Sequence, residues 1–196
     1  MPTPPIELVR QIKSRFGDLI SEPIEFRGEV TITLKDYARV AEVCAFAKEQ
    51  LGCDYLIDIT SVDHYGDDPR WTVVYEISSL AHGCQFRLKT DIPEEISELP
   101  TVTHVWRTAD WHEREIYDMM GIRFAGHPDL RRILMWEGYP YHPLRKDFPL
   151  AGRPTDLPEV AFTRPAPLEG GPFVTTPGQP NATEREPRAR ETGRES

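Results

Sequence analysis

Cysteine is scarce in this chain: Cys44, Cys53 and Cys84 are the only three among 196 residues, and no two of them form a Cys-x-x-Cys pair. That number and spacing suggest neither a disulfide framework nor a zinc or iron–sulfur site, so three buried thiols are expected. Long apolar runs are also missing, since no window approaches the ~18 consecutive apolar residues that a membrane-spanning helix requires. The opening stretch MPTPPIELVRQIKSRFG lacks the charged-then-apolar order of a secretory signal. The expectation is a soluble, cytosolic chain. Excess positive charge is absent too: 32 acidic residues stand against 23 basic ones, a net charge of −9, which argues against binding nucleic acid through bulk charge. No Gly-x-Gly-x-x-Gly, P-loop or Gly-x-Ser-x-Gly element occurs, so no nucleotide, phosphate or acyl-transfer site is visible.

What is present has clear periodicity. Ile6, Val9, Ile12 and Phe16 recur at helical spacing before Gly17. After Pro23, IEFR and VTITL read as a hairpin around Gly28, with Val30, Ile32 and Leu34 on one side. Asp36 is placed to cap a second helix whose Val40, Val43, Ala47 and Leu51 share a face before Gly52. Three strands follow: DYLIDITSVD, then WTVVYEIS with Trp71, Val73, Tyr75 and Ile77 on one side, then CQFRLKTDI with Cys84, Phe86 and Leu88 on one side. The order helix, two strands, helix, three strands predicts an α+β two-layer domain over residues 1–105 with a mixed or mostly antiparallel sheet.

Beyond residue 105 the texture changes. Asp110 and Glu113 have capping-box spacing and Gly121 supplies a stop, so WHEREIYDMM is expected to be helical. An extended arm follows as far as residue 180, rich in proline over 151–180, and the polar stretch 181–196 reads as disordered.

The charged run HERE at 112–115 invites three readings. His112, Glu115 and Asp118 fall on successive turns and could hold a metal in a hydrolase, but the second histidine of a zinc helix is replaced by Ile116. Glu113 and Glu115 point about 200° apart on a helix and cannot share a substrate. The third reading is protein contact. Trp106, Trp111, Tyr117, Met119 and Met120 crowd the same charges, followed by Phe124, Ile133, Leu134 and Trp136 around Arg131 and Arg132. Aromatic, Met and Arg enrichment marks interface centres.

These residues carry a resemblance. Glu113, Arg114, Glu115, Asp118, Met119, Met120, His127, Arg131, Ile133 and Leu134 fill every place of the signature of the 30 kDa subunit of complex I, the respiratory NADH:quinone oxidoreductase. HPLRKDFPL (142–150) resembles the family's next block, and FTRPAPLEGGPF resembles its tail. Departures are local: WEGYPY stands where relatives resemble Pro-Glu-Asp-Trp-x-Gly, and Asp110 stands where Asn is common. The resemblance implies a structural subunit of the peripheral arm that has no cofactor of its own. FMN, iron–sulfur clusters and quinone would lie on partners, namely the large quinone-site subunit and iron–sulfur subunits. It implies attachment to the cytoplasmic side of the inner membrane through the complex alone. The residues implied at partner interfaces are Glu113, Arg114, Glu115, Asp118, His127, Arg131, Arg132, His142, Arg145, Lys146 and Asp147. The signature also fits the homologous subunit of a membrane-bound hydrogenase or another quinone reductase.

Overall fold

The computed structural model describes residues 3–149. Leu150, the proline-rich segment 151–180 with Leu168 and Phe173, and the tail 181–196 lie outside the described residues.

Helix α1 (Pro5–Phe16) begins on a proline, whose fixed φ suits a first turn, and buries Leu8, Val9, Ile12 and Phe16. Strands β1 (Ile24–Phe26) and β2 (Glu29–Leu34) form the expected hairpin. Its two linking residues, Arg27 and Gly28, both have positive φ (53° and 82°), the turn geometry that matches strand twist. The Asp36 carboxylate accepts the Ala38 N–H and caps a short 3-10 turn, Tyr37–Arg39, that leads into helix α2 (Val40–Leu51). Gly52, in the left-handed region, ends it.

Strands β3 (Tyr55–Asp63), β4 (Trp71–Ser79) and β5 (Cys84–Ile92) follow as an antiparallel meander. The sheet has five strands in the order β1-β2-β5-β4-β3, with β2 and β5 parallel and every other pair antiparallel. The mixed sheet is as expected. Residues alternating along β2, β4 and β5 turn one face to α1 and α2, which buries Ile32, Leu34, Trp71, Val73, Tyr75, Ile77, Phe86 and Leu88 to 2 % exposure or less. Burial of each such aliphatic side chain stabilises by about 1.5–3 kcal/mol, so this layer supplies the larger part of the core. The thiols differ from expectation in one case: Cys44 and Cys53 are buried, but Cys84 opens β5 at the tip of its hairpin and is half-exposed.

Helix α3 (Ala109–Met120) joins strands β6 (Glu98–Pro100) and β7 (Arg123–Ala125), which pair in parallel as a separate two-stranded sheet. Neither strand shows in the sequence pattern, because three residues are too few to reveal a period. Val105, Trp106, Ala109, Ile116, Ile122 and Phe124 belong to the same cluster of buried side chains as the larger sheet, so the core continues across residue 105. The capping box is corrected as well. Thr108 precedes the helix without a side-chain cap, Asp110 lies inside the first turn, and the Glu113 carboxylate accepts the Thr101 hydroxyl and the Val102 N–H instead of the helix's own backbone.

Candidate functional site

Helix α3 carries the charged signature, and its faces separate the roles. Glu113 and Asp118 are fully buried and Arg114 is 8 % exposed, whereas Trp111 is 62 % exposed and Glu115 lies in solvent.

Asp118 organises the turn that follows β7. Its Oδ2 accepts the backbone N–H groups of Ile133, Leu134 and Met135 at 3.0, 2.7 and 2.8 Å, and its Oδ1 pairs with Arg132. Burial pushes this carboxyl upward in pKa, but the Met135 amide, Arg132 and the other two amides outweigh it and hold it below the usual range. Arg114 reaches the same turn from the helix side. Its guanidinium donates to the carbonyls of Arg131 and Arg132 at 3.2 and 3.4 Å and lies 5.4 Å from the Trp111 ring centroid. Glu113 faces the opposite way. It accepts the Thr101 hydroxyl and the Val102 N–H, with His127 Nε2 at 3.9 Å, and burial drives its pKa up to about 7 against those two hydrogen bonds.

The segment His142 to Arg145 performs a backbone task. A helix leaves its last four carbonyls without partners, which for α3 are those of Tyr117, Asp118, Met119 and Met120. Gly121 N–H serves the first, His142 Nδ1–H and Arg132 the second, Leu144 N–H the third and the Arg145 guanidinium the fourth. A cation at that end also suits the helix dipole. Burial, then Arg145 and Arg132, depress the His142 pKa against the hydrogen bond to the Asp118 carbonyl, which favours the neutral ring in this role. Gly121 makes the approach possible: its φ is +78°, and a Cβ there would lie 2.5 Å from Arg145 and 2.6 Å from His142.

A second anchor lies at the end of the β3–β4 hairpin. Arg70, only 3 % exposed, forks onto both oxygens of Asp63, reaches Glu94, and meets Asp147 at 3.1 Å while the Lys146 N–H donates to Asp63. Its guanidinium lies 4.4 Å from the Trp71 ring centroid, and that of Arg145 lies 5.2 Å from it. Burial raises the Asp63 pKa, but Arg70 and the Lys146 amide bring it below the normal value.

Of the eleven residues singled out in the sequence, the structure thus draws together Glu113 with His127, Arg114 and Asp118 with the 131–135 turn, His142 and Arg145 with the helix end, and Lys146 and Asp147 with the hairpin end. Arg132 joins Asp118 in the 131–135 turn, while the side chains of Glu115 and Arg131 stay outside, although the Arg131 carbonyl accepts Arg114. Glu115 lines a shallow cleft of about 130 Å³ with Met119, Met120, Leu144 and β3 residues, and Arg131 pairs at the surface with Asp129. The arm over 126–149 is a series of turns folded back on its own chain rather than an extended strand. Asp63, Arg70 and Trp71 join the site without any signal in the sequence. A charge at each end of a hairpin is ordinarily a solvated one, and no local pattern tells otherwise.

The metal-hydrolase reading fails on geometry. His112 is paired with Asp58 at 3.0 Å, both Asp118 oxygens are engaged by the turn, and Glu115 faces solvent, so the three do not converge. Among the described residues no group of three or more His, Cys, Asp or Glu is placed to hold a metal ion. No helix among them is long and apolar enough to cross a membrane.

Residues 34–154 match the family model described as the 30 Kd subunit of respiratory-chain NADH dehydrogenase. The NADH-quinone oxidoreductase C-subunit of Geotalea uraniireducens is 47 % identical over 144 residues, 74 % of this chain and 87 % of that protein. One of the corresponding C-subunits of Rhizobium etli, the second by its name, is 45 % identical over 160 residues, 81 % of this chain and 84 % of the relative. Among solved structures, the trypsin-resistant fragment (1-134) of Nqo5 is 35 % identical with a TM-score of 0.54, over 63 % of this chain and 97 % of the fragment. A chain of an archaeal membrane-bound sulfane sulfur reductase shares the fold, with a TM-score of 0.64 at 22 % identity over 74 % of this chain and 85 % of its own. With its signature helix in place and its relatives matched over most of their length, the chain belongs to the family of the 30 kDa subunit of respiratory NADH dehydrogenase, the NADH-quinone oxidoreductase.

Proposed function

We propose that this chain is a structural subunit in the peripheral arm of a proton-pumping NADH:quinone oxidoreductase, docking the large quinone-site subunit and iron–sulfur subunits through the surface around α3 and its arm. FMN, iron–sulfur clusters and quinone reside on those partners, and attachment to the cytoplasmic side of the membrane runs through the complex. One observation carries this reading. The buried side chains of the signature, Glu113, Arg114 and Asp118, already have hydrogen-bond partners within the chain, yet Trp111, Leu134, Leu144 and Trp136 around them remain 62, 61, 57 and 36 % exposed. Large aromatic and aliphatic side chains left in solvent around hydrogen-bonded buried charges are the composition of interface anchors.

The test is Trp111→Glu with Leu134→Glu in the native host. The isolated variant keeps its fold, and the membranes lose most of the assembled complex while any complex that forms keeps a near-normal KM for NADH. Full assembly in the double variant overturns the docking surface. The full-length chain expressed alone is colourless; stoichiometric flavin or iron bound to it overturns the cofactor-free reading. The homologous subunit of a membrane-bound hydrogenase or another quinone reductase is distinguished by the flavin and the partner chains that co-purify.

A further inference from the structure

Three carboxylates are buried in the described residues, and they are not equivalent. Asp63 is held by Arg70 and Asp118 by Arg132, each at direct ion-pair distance. Glu113 is 0 % exposed and has neither arginine nor lysine on it; its two hydrogen-bond donors, the Thr101 hydroxyl and the Val102 N–H, are neutral. Its other neighbours do not supply a fixed positive charge. On α3 itself stands Asp110, whose Oδ1 is buried without a hydrogen bond and lies 3.8 Å from Arg114. From the turn after β7 comes His127, whose side chain is fully buried, with Nε2 at 3.7 Å from Asp110 and 3.9 Å from Glu113. His127 Nδ1 accepts the Asp129 N–H, so a neutral ring carries its proton on Nε2, which faces the Asp110 backbone carbonyl at 3.4 Å with the two carboxylates just beyond. Cys44 of α2 and Tyr75 of β4 face Glu113 from the core, and burial pushes both their pKa values up, so neither offers a charge.

We propose that Glu113, with Asp110 and His127 around it, is a buried proton-binding site, and that packing α3 against the 101–103 turn takes up a proton at neutral pH. The warrant is the cost of an ion. A carboxylate removed from water without a cation is destabilised by desolvation, a second carboxylate nearby adds to that, and the group keeps its proton instead. Protonated Glu113 keeps a carbonyl oxygen for the Val102 N–H, and its own O–H can be donated to Thr101, so no hydrogen bond is lost. The pKa near 7 agrees with this geometry. The proposal concerns the chain itself and stands apart from the docking surface.

Carbon-13 NMR titration of side-chain carboxyls in the full-length chain tests it, with Glu113 assigned through its backbone. Its carboxyl should titrate near neutral pH, and Asp110→Asn should move that midpoint down; a Glu113 midpoint in the ordinary range near 4.3 overturns the proposal. Urea unfolding gives a second readout. From pH 5.5 to 8 the unfolding equilibrium constant of the native chain should rise by roughly 25-fold relative to Glu113→Gln, given a shift from 4.5 to about 7. Equal pH dependence in the two overturns it. If Glu113→Gln does not fold, the NMR midpoints of the native chain and Asp110→Asn decide alone.

Discussion

Asp118 is a single side chain with four donors on it, three backbone amides and a guanidinium. Replacing it by Asn keeps the size but sets an NH2 group against donors and leaves Arg132 without its counter-charge. A loss of about 3–5 kcal/mol is expected, measured by urea unfolding at pH 7. Its pH dependence has a definite sign. The folded-state pKa of Asp118, like that of Asp63, lies below the unfolded value, so below that value the unfolded chain binds more protons than the folded one. Stability from these groups is complete above the unfolded pKa of about 3.9 and is lost as pH falls through the folded pKa. Asp118→Asn should therefore show a flatter decline below pH 4 than the native chain; an identical decline would mean that Asp118 carries no such linkage. Tyr75 is the opposite case. Its hydroxyl is buried without a hydrogen bond among the described residues, so Tyr75→Phe removes only a desolvated polar atom. Stability within about 0.5 kcal/mol of the native value, or above it, is expected from the same measurement.

At the scale of elements, the C-terminus of α3 is finished largely by residues fourteen to twenty-five positions away, with only Gly121 supplied by the adjoining sequence. Gly121 is legible as a stop from the glycine alone, but its second role is not: it leaves the space that His142 and Arg145 occupy. Gly121→Ala introduces a left-handed alanine, costing roughly 1–2 kcal/mol, and drives the His142 ring and the Arg145 guanidinium off the helix end. Uncapped carbonyls add to that cost. Lower stability should come with faster proteolysis within 126–149; an arm that stays as protected as in the native chain would count against the cap. The signature charges can be found in the sequence because they repeat a family spacing, whereas the partners of those charges cannot. Asp118 meets amides fifteen to seventeen residues on, and Asp63 meets an amide 83 residues on, and no period links such positions. The longer helices and strands are legible because they span enough residues for 3.6- and 2-residue periods to show. Strands β6 and β7, three residues each, and the parallel pairing of β2 with β5 rest on tertiary contacts alone.

Across the whole chain these anchors divide stability from assembly. The layer formed by α1, α2 and the five-stranded sheet supplies most of the common apolar core, and Arg70 keeps Asp63 and Glu94 even without the arm. Helix α3 depends on both sides: Ile116 and Ala109 enter the common core, but three of its four terminal carbonyls are served from residues 132 and 142–145. Ending the chain at residue 140 should therefore leave β4 and β5 slow to exchange amide hydrogens while amides of the last turns of α3 exchange much faster, because local opening no longer has to break the cap. Such a chain should fail to enter the complex through loss of a formed docking element. Trp111→Glu with Leu134→Glu should fail too, yet with near-native exchange throughout α3, because those side chains stand mostly in solvent and Trp111 contributes to the isolated chain chiefly through its contact with the Arg114 guanidinium. Hydrogen exchange on the isolated variants beside the membrane content of complex separates the two causes. A double variant that exchanges like the native chain and also assembles would leave the exposed aromatic and aliphatic groups without a role in docking.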